Sequence, residues 1–87
     1  MWVVYIIRCN DNSLYIGITN NLRKRIDRHC QGTGAKYTRG RGPFELVYTE
    51  NHADRSKASQ REYVLKTLTL KEKLQLIKSN ILRKDML

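Results

Sequence analysis

Between Leu14 and His29 the chain reads LYIGITNNLRKRIDRH, a stretch that holds a phenol, a guanidinium and an imidazole. It begins as a short strand, Leu14 to Ile18, and breaks at Gly17 and at the turn formers Thr19, Asn20 and Asn21. A helix follows, in which Leu22, Ile26 and Cys30 form an apolar stripe at about 100° per residue. Arg25 and His29 lie one turn apart along one edge of that stripe, and Arg23, Lys24, Asp27 and Arg28 take the outer face. Tyr15 near the strand's end, Gly17, Arg25 and His29 can therefore converge on one small space. The set suits phosphate: Arg offers a fixed fork of donors, His a proton donor or acceptor, Tyr a phenol. A purely structural arrangement accounts for the same residues, with the Arg capping a groove and the His packed half-buried.

One acid stands out. Asp54 is placed to cap a helix running to about Leu68, on which Ala58, Leu65 and Leu68 define the inward face. Glu62 falls among them. An ionised carboxylate is costly to bury unless a cation or a metal meets it. The structural alternative is a salt bridge to one of the chain's many basic side chains.

These groups need a scaffold. Trp2 to Cys9 (WVVYIIRC) is β-branched, aromatic and nearly continuous in apolar character, which predicts a strand buried on both faces. Asn10 to Ser13 is turn chemistry, so Leu14 to Ile18 returns antiparallel as a hairpin. Tyr5 and Tyr15 share a face only if paired residue numbers add to an even value, as a three-residue loop from Asn10 to Asn12 provides; that register is expected. The first helix is capped near Asn20 or Asn21 and ends by Gly32 or Gly34. The stretch GTGAKYTRGRGP, Gly32 to Pro43, holds four of the five glycines and the one proline, and reads as a loop. Phe44 to Thr49 alternates and reads as a third strand, and Asn51 to Asp54 turns the chain. Thr69 with Glu72 forms a capping box opening a last helix, Leu70 to about Lys78, with Leu70, Leu74 and Ile77 inward. Residues 1–80 are expected to form a single domain, and residues 81–87 to extend the last helix or fray.

The chain has 87 residues, 17 of them Lys or Arg against 8 Asp or Glu, a net charge of +9. That balance points to a polyanionic partner, nucleic acid rather than a membrane, since no strongly amphipathic basic helix is present. Seven of these cations lie between Asn21 and Pro43, at Arg23, Lys24, Arg25, Arg28, Lys36, Arg39 and Arg41, against the single acid Asp27. Small residues there let a backbone approach a sugar-phosphate chain that Lys36, Arg39 and Arg41 can neutralise. A flexible linker would have the same composition. Trp2 to Ile7 is far short of the roughly 20 apolar residues that span a bilayer, and it lacks the marks of a signal peptide. Cys9 and Cys30 have no metal-finger spacing and read as free thiols, consistent with a cytoplasmic protein.

Tyr5, Tyr15-Ile16-Gly17, Arg25, His29 and Glu62 together have the order and spacing of the GIY-YIG nuclease domain. The string YIGITNNLRKRIDRH, followed by AKYT and by a glutamate on a later helix, resembles the small stand-alone bacterial members. It is more distantly similar to the Slx-type and UvrC-type nuclease modules of DNA repair. The resemblance runs from Val3 to about Ile77 and implies an α+β domain: a central three-stranded antiparallel sheet flanked by helices, in the order β-β-α-β-α-α. By position Tyr5 matches the tyrosine of the first half-motif, whose Gly-Ile is here Val3-Val4. Tyr15 and Gly17 match the second half-motif, Arg25 the essential arginine, His29 the histidine one turn on, and Glu62 the metal-binding glutamate. Some members carry an asparagine where this chain has Leu74, and a lysine where it has Ile18.

The resemblance implies a phosphodiester hydrolase. Glu62 would hold one Mg2+ or Mn2+ ion, with water and phosphate oxygens filling its other positions. Arg25 would meet the non-bridging oxygens, and Tyr5 would take the proton of the attacking water with Tyr15 beside it. An ordinary tyrosine has a pKa near about 10, so Tyr5 would need Arg25, the metal or His29 to favour its anion, and an alkaline optimum would follow. Arg23, Lys24, Arg28, Lys36, Arg39 and Arg41 would contact the nucleic acid, DNA rather than RNA. Two other readings share these residues: a non-catalytic nucleic-acid-binding module, and a nuclease subunit that takes its specificity from a larger protein partner.

Overall fold

Val4, Tyr5, Ile6 and Ile7 are consecutive and have no accessible surface. A strand can bury four residues in a row only with cover on both faces and neighbours on both edges. The computed structural model, which describes residues 1–32 and 42–85 with side chains through 80, supplies both. Strands β1 (Trp2–Arg8) and β2 (Leu14–Thr19) precede helix α1 (Leu22–Cys30); β3 (Glu45–His52), α2 (Arg55–Thr67) and α3 (Leu70–Asp85) follow. The strands form one antiparallel sheet in the order β2-β1-β3, with β1 central, so the fold is the expected α+β arrangement.

The hairpin has the even register. Tyr5 pairs with Gly17 and Ile7 with Tyr15. The loop is three residues long: the Cys9 N–H donates to the Ser13 carbonyl at 2.8 Å, and the Asn12 N–H to the Cys9 carbonyl at 2.9 Å. Asn12 takes the left-handed position at φ 67°, which asparagine tolerates better than most residues. The two tyrosines and Gly17 therefore project from one face of the sheet, and α1 covers that face.

The opposite face carries the apolar core. Val4, Ile6, Ile16 and Tyr48 pack there with Ala58 and Leu65 of α2 and Ile77 of α3. Between Ile6 and Ile7 the β1–β3 pairing slips by one, Tyr48 facing Ile6 and Leu46 facing Ile7. Val47 is the extra residue of this bulge. β3 extends past Thr49 to His52, and on its core face Glu50 gathers three donors. The Tyr48 hydroxyl (2.6 Å), His52 Nε2 (2.6 Å) and Arg61 Nε (2.9 Å) all donate to its carboxylate. Burial alone would raise the Glu50 pKa, but these hydrogen bonds outweigh it and hold the carboxyl below its ordinary value.

Each helix starts on the expected cap. The Asn21 side chain accepts from the Lys24 N–H at 3.1 Å and Asp54 from the Lys57 N–H at 2.9 Å. Thr69 and Glu72 exchange bonds of 3.2 and 3.0 Å, completing the capping box. Two helix faces differ from the periodicity. In α1 the buried residue is His29, 1% exposed, whereas Cys30 is exposed. The helix is rolled so that the imidazole meets the Tyr5 hydroxyl, a partner that a thiol could not match. In α3 Leu70 (60% exposed) and Leu74 (42%) face outward. Its inner side is Lys73, Leu76, Ile77 and Asn80, with Leu76 packed on the core cluster. Ile77 belongs to both stripes, so packing against the sheet makes the choice. α3 runs on to Asp85 because Ser79 to Asp85 contains no helix breaker. Cys9 is buried, Cys30 exposed, and both are free thiols.

Candidate active site

Gly17 opens the site. A Cβ at this position would lie 2.6 Å from Tyr5 Oη and 2.8 Å from Tyr5 Cζ, so the phenol ring occupies space that only glycine leaves free. Above it, α1 brings down two side chains separated by one helical turn. Tyr5 Oη is 2.8 Å from His29 Nε2, and Arg25 Nε donates to Tyr5 Oη at 3.4 Å. A phenol has one hydrogen. Its oxygen accepts from Arg25 and shares a second hydrogen bond with His29 Nε2, whose direction follows the imidazole tautomer. Tyr15 packs into the same cluster, its ring centroid 6.3 Å from Tyr5 and 5.3 Å from His29. Arg25 hydrogen-bonds to both phenols, which raises its own pKa against the opposing effect of burial. Phe44 closes the far side of His29 at 6.0 Å between centroids.

The electrostatics divide the two tyrosines. Burial pushes Tyr5 up to about 12; the Arg25 hydrogen bond pulls the other way, and the Tyr15 and Glu62 charges add to the rise. Arg25 therefore does not make Tyr5 an accessible anion, because desolvation wins. Burial, then the positive charge of Arg25, lowers the His29 pKa and keeps the imidazole neutral near pH 7. Tyr5 has no accessible surface, whereas Tyr15 and Arg25 are partly exposed. The groups that solvent can reach are Tyr15 and Arg25.

Glu62 lies on the inner side of α2 between Ala58 and Leu65, its side chain 22% exposed and 3.6 Å from Lys66 Nζ. It is neither deeply buried nor held by a buried partner. Its charge reaches Tyr5. Among the described residues no group of three or more His, Cys, Asp or Glu side chains could hold a metal ion. One accessible carboxylate nevertheless fits Mg2+ or Mn2+, hard ions that keep several waters and take substrate phosphates rather than an all-protein cage.

The basic residues separate by position. Lys24, Arg25 and Arg28 line a hollow of about 180 Å³ with Thr19, Asn20 and Asn21 at the start of α1. Arg23 is exposed and not part of that lining. Lys36, Arg39 and Arg41 lie outside the described residues. Phe44 was legible only as part of a strand; its approach to His29 follows from the chain's return after α1 and leaves no local signal.

An α+β domain whose three-stranded sheet gathers two tyrosines, an arginine and a histidine, with a glutamate on a later helix, defines the GIY-YIG class. The model of the GIY-YIG catalytic domain matches residues 1–75, and the chain belongs to that family. Membership implies an endonuclease-like activity. Among its relatives, the UPF0213 protein CPE1444 of Clostridium perfringens is 55% identical over 82 residues, 94% of this chain and 88% of the relative. The UPF0213 protein OB0043 of Oceanobacillus iheyensis is 57% identical over 74 residues, 85% and 86% of the two chains. The solution NMR structure of the UPF0213 protein BH0048 from Bacillus halodurans has a TM-score of 0.59 at 46% identity, covering 90% of this chain and 84% of that one. That of EF2693 from E. faecalis has a TM-score of 0.63 at 39% identity, covering 92% and 85%. No helix among the described residues is long and apolar enough to cross a membrane.

Proposed function

We propose that this protein is a divalent-metal-dependent endonuclease that hydrolyses phosphodiester bonds in DNA, selecting structure rather than sequence. The observation that carries the reading is the Arg25 guanidinium held between two phenols, one of them anchored to His29 at 2.8 Å. A cation fixed in this way costs little reorganisation when charge grows on a phosphate. Arg25 meets the non-bridging oxygens. Tyr15, the phenol that water can reach, takes the proton of the attacking water as its oxygen bonds to phosphorus. The bond to the departing sugar oxygen breaks and solvent returns a proton to it. Tyr5 and His29 are positioning residues in this scheme, because a phenol without accessible surface and with a pKa of about 12 is a poor first acceptor. Glu62 is the residue to hold Mg2+ or Mn2+, which would neutralise charge on the phosphate and stabilise the departing oxygen. Lys24 and Arg28, with Arg23 and the Lys36, Arg39 and Arg41 stretch, supply contacts to the strand backbone. We take residues 1–80 as the folding unit that carries all of this.

A partner-dependent nuclease is the second reading, and the outward Leu70 and Leu74 favour it, since two large apolar residues on one helix face suit a docking protein. Purified wild type and Glu62→Gln, incubated with branched, single-stranded and duplex DNA and RNA with and without Mg2+ or Mn2+, test the proposal. Metal-dependent nicking by the wild type, lost in Glu62→Gln with nucleic-acid affinity retained, is expected. The Glu62–Lys66 contact is a 3.6 Å i,i+4 pair whose lysine is 55% exposed, so the substitution costs at most about 0.5 kcal/mol of stability. Retained binding with no cleavage of any substrate overturns autonomous cleavage; co-purification with a specific larger protein that restores cleavage then marks the partner-dependent nuclease, and its absence the non-catalytic binding module.

A further inference from the structure

We propose that Lys66 and Lys73 form a second phosphate-binding subsite, which holds the substrate strand on the Tyr15 side of the reacting centre. This rests on the nuclease reading and adds to it the path of the strand.

The edge strand β2 runs past the site. Thr19, Gly17 and Tyr15 pair with Val3, Tyr5 and Ile7 of β1, so all three project from the face that α1 covers. At the Thr19 end lies the hollow lined by Lys24, Arg25 and Arg28. In the middle Gly17 lies beneath Tyr5. At the other end Leu14, Tyr15 and Ile16 form one wall of a second hollow of about 290 Å³, whose remaining lining is Lys66 of α2 and Lys73 of α3. Tyr15 and Thr19 are four residues apart, a span of about 13 Å along a strand. Basic hollows thus flank the Tyr5–Arg25–His29 cluster at opposite ends of one strand.

The two lysines are set up to receive an anion. Lys73 is on the inner side of α3 and partly buried, an arrangement that a lysine adopts when its stem packs and its ammonium stays accessible. Its neighbour Glu72 is occupied with the Thr69 cap, and Lys73 makes no ion pair among the described residues. Lys66 is 55% exposed and its 3.6 Å contact with Glu62 is a surface pair, easily exchanged for a phosphate. Two ammonium groups around one hollow raise the local positive potential, which a phosphodiester relieves. Tyr15 lines this hollow and belongs to the reacting cluster, so a strand bound here passes the phenol that solvent reaches.

The test is a salt titration of binding to a fluorescent single-stranded or branched DNA in chelator, which separates binding from cleavage. Wild type is compared with Lys66→Met/Lys73→Met and with Lys71→Met/Lys78→Met, which removes the same charge from the outer side of α3. On single-stranded DNA the first variant is expected to lower the salt slope by about 0.7 for each lost contact, and so to bind about 25-fold more weakly near 0.1 M salt. The Lys71/Lys78 variant should change far less. Lys66→Met alone, at a half-exposed position, should show half the slope change and serves if the double variant folds poorly. Equal losses in the two double variants, or an unchanged slope in Lys66→Met, overturn the subsite while leaving the nuclease reading in place. A wild type that binds no nucleic acid overturns both.

Discussion

Replacing Gly17 with alanine tests the packing on which the site depends. Two effects oppose one another. Gly→Ala in a strand removes unfolded-chain freedom and would by itself stabilise by about 0.4–1 kcal/mol. The added Cβ, however, meets Tyr5 Oη at 2.6 Å, Tyr5 Cζ at 2.8 Å and Tyr15 Cε1 at 3.1 Å. Tyr5 cannot move aside, because its ring has no accessible surface and its hydroxyl is tied to His29 and Arg25. Overpacking of this kind costs about 1–3 kcal/mol, so the net expectation is a loss of about 1–2 kcal/mol, roughly 4–8 °C in Tm per kcal/mol for a domain of this size. A double-mutant cycle sharpens the test. Tyr5→Phe alone strands His29 Nε2 and costs about 1–3 kcal/mol, but in the Gly17→Ala background it also removes the nearest clashing atom. The double variant should therefore be more stable than the sum of the singles by at least about 0.5 kcal/mol. Urea denaturation of the four proteins with a shared m-value measures this. A Gly17→Ala protein as stable as wild type, or a fully additive cycle, refutes the claim that glycine is there to admit the phenol.

Arg25→Lys should lose about 100-fold in cleavage, because an ammonium cannot replace the fork between two phenols, while Arg23→Lys stays near wild type. Equal losses in single-turnover assays would mean a basic surface rather than a site. Glu50→Gln should cost about 1–2 kcal/mol at neutral pH, since Arg61 and His52 lose a charged acceptor that is itself partly exposed. The folded Glu50 pKa lies below the ordinary 4.5, so its stabilisation is present above that value and lost as pH falls through the folded value. The gap between Glu50→Gln and wild type should accordingly close in acid melts. The His29 pKa lies below the ordinary 6.5, so the unfolded chain takes up that proton first. Stability is complete above about 6.5 and falls with pH below it, by up to about 1.4 kcal/mol per pH unit. His29→Gln should flatten that slope, and an unchanged slope would place the imidazole in water.

Local sequence determined a good deal of this protein. The caps at Asn21 and Asp54 and the Thr69–Glu72 box act within a few residues, so chain chemistry alone set the helix starts, while the turn residues Asn10 to Ser13 placed the hairpin and left its loop at three or four residues. The apolar run Val4 to Ile7 required a central strand. Once the register was even, Tyr5, Gly17 and Tyr15 had to share a face. What spacing could not settle was rotation and depth. Leu70–Leu74–Ile77 and Lys73–Leu76–Ile77 are both helical stripes, and only contact with the core turned the first outward. His29 is deeper than Cys30 because a hydroxyl presented by a strand 24 residues earlier offers the imidazole a partner. Glu62 proved only partly buried, its side chain 22% exposed beside Lys66, and Glu50, unremarkable in sequence, became the hub of a network that Arg61 completes from another element. Burial, and with it the rise of Tyr5 to about 12 and the fall of His29, depends on which atoms exclude water, and those atoms come from β1, β2, α1 and Phe44, which are distant in sequence. Sequence determined which groups could meet; tertiary packing decided which of them water can still reach, because desolvation is a property of the assembled surface and not of any stretch of chain.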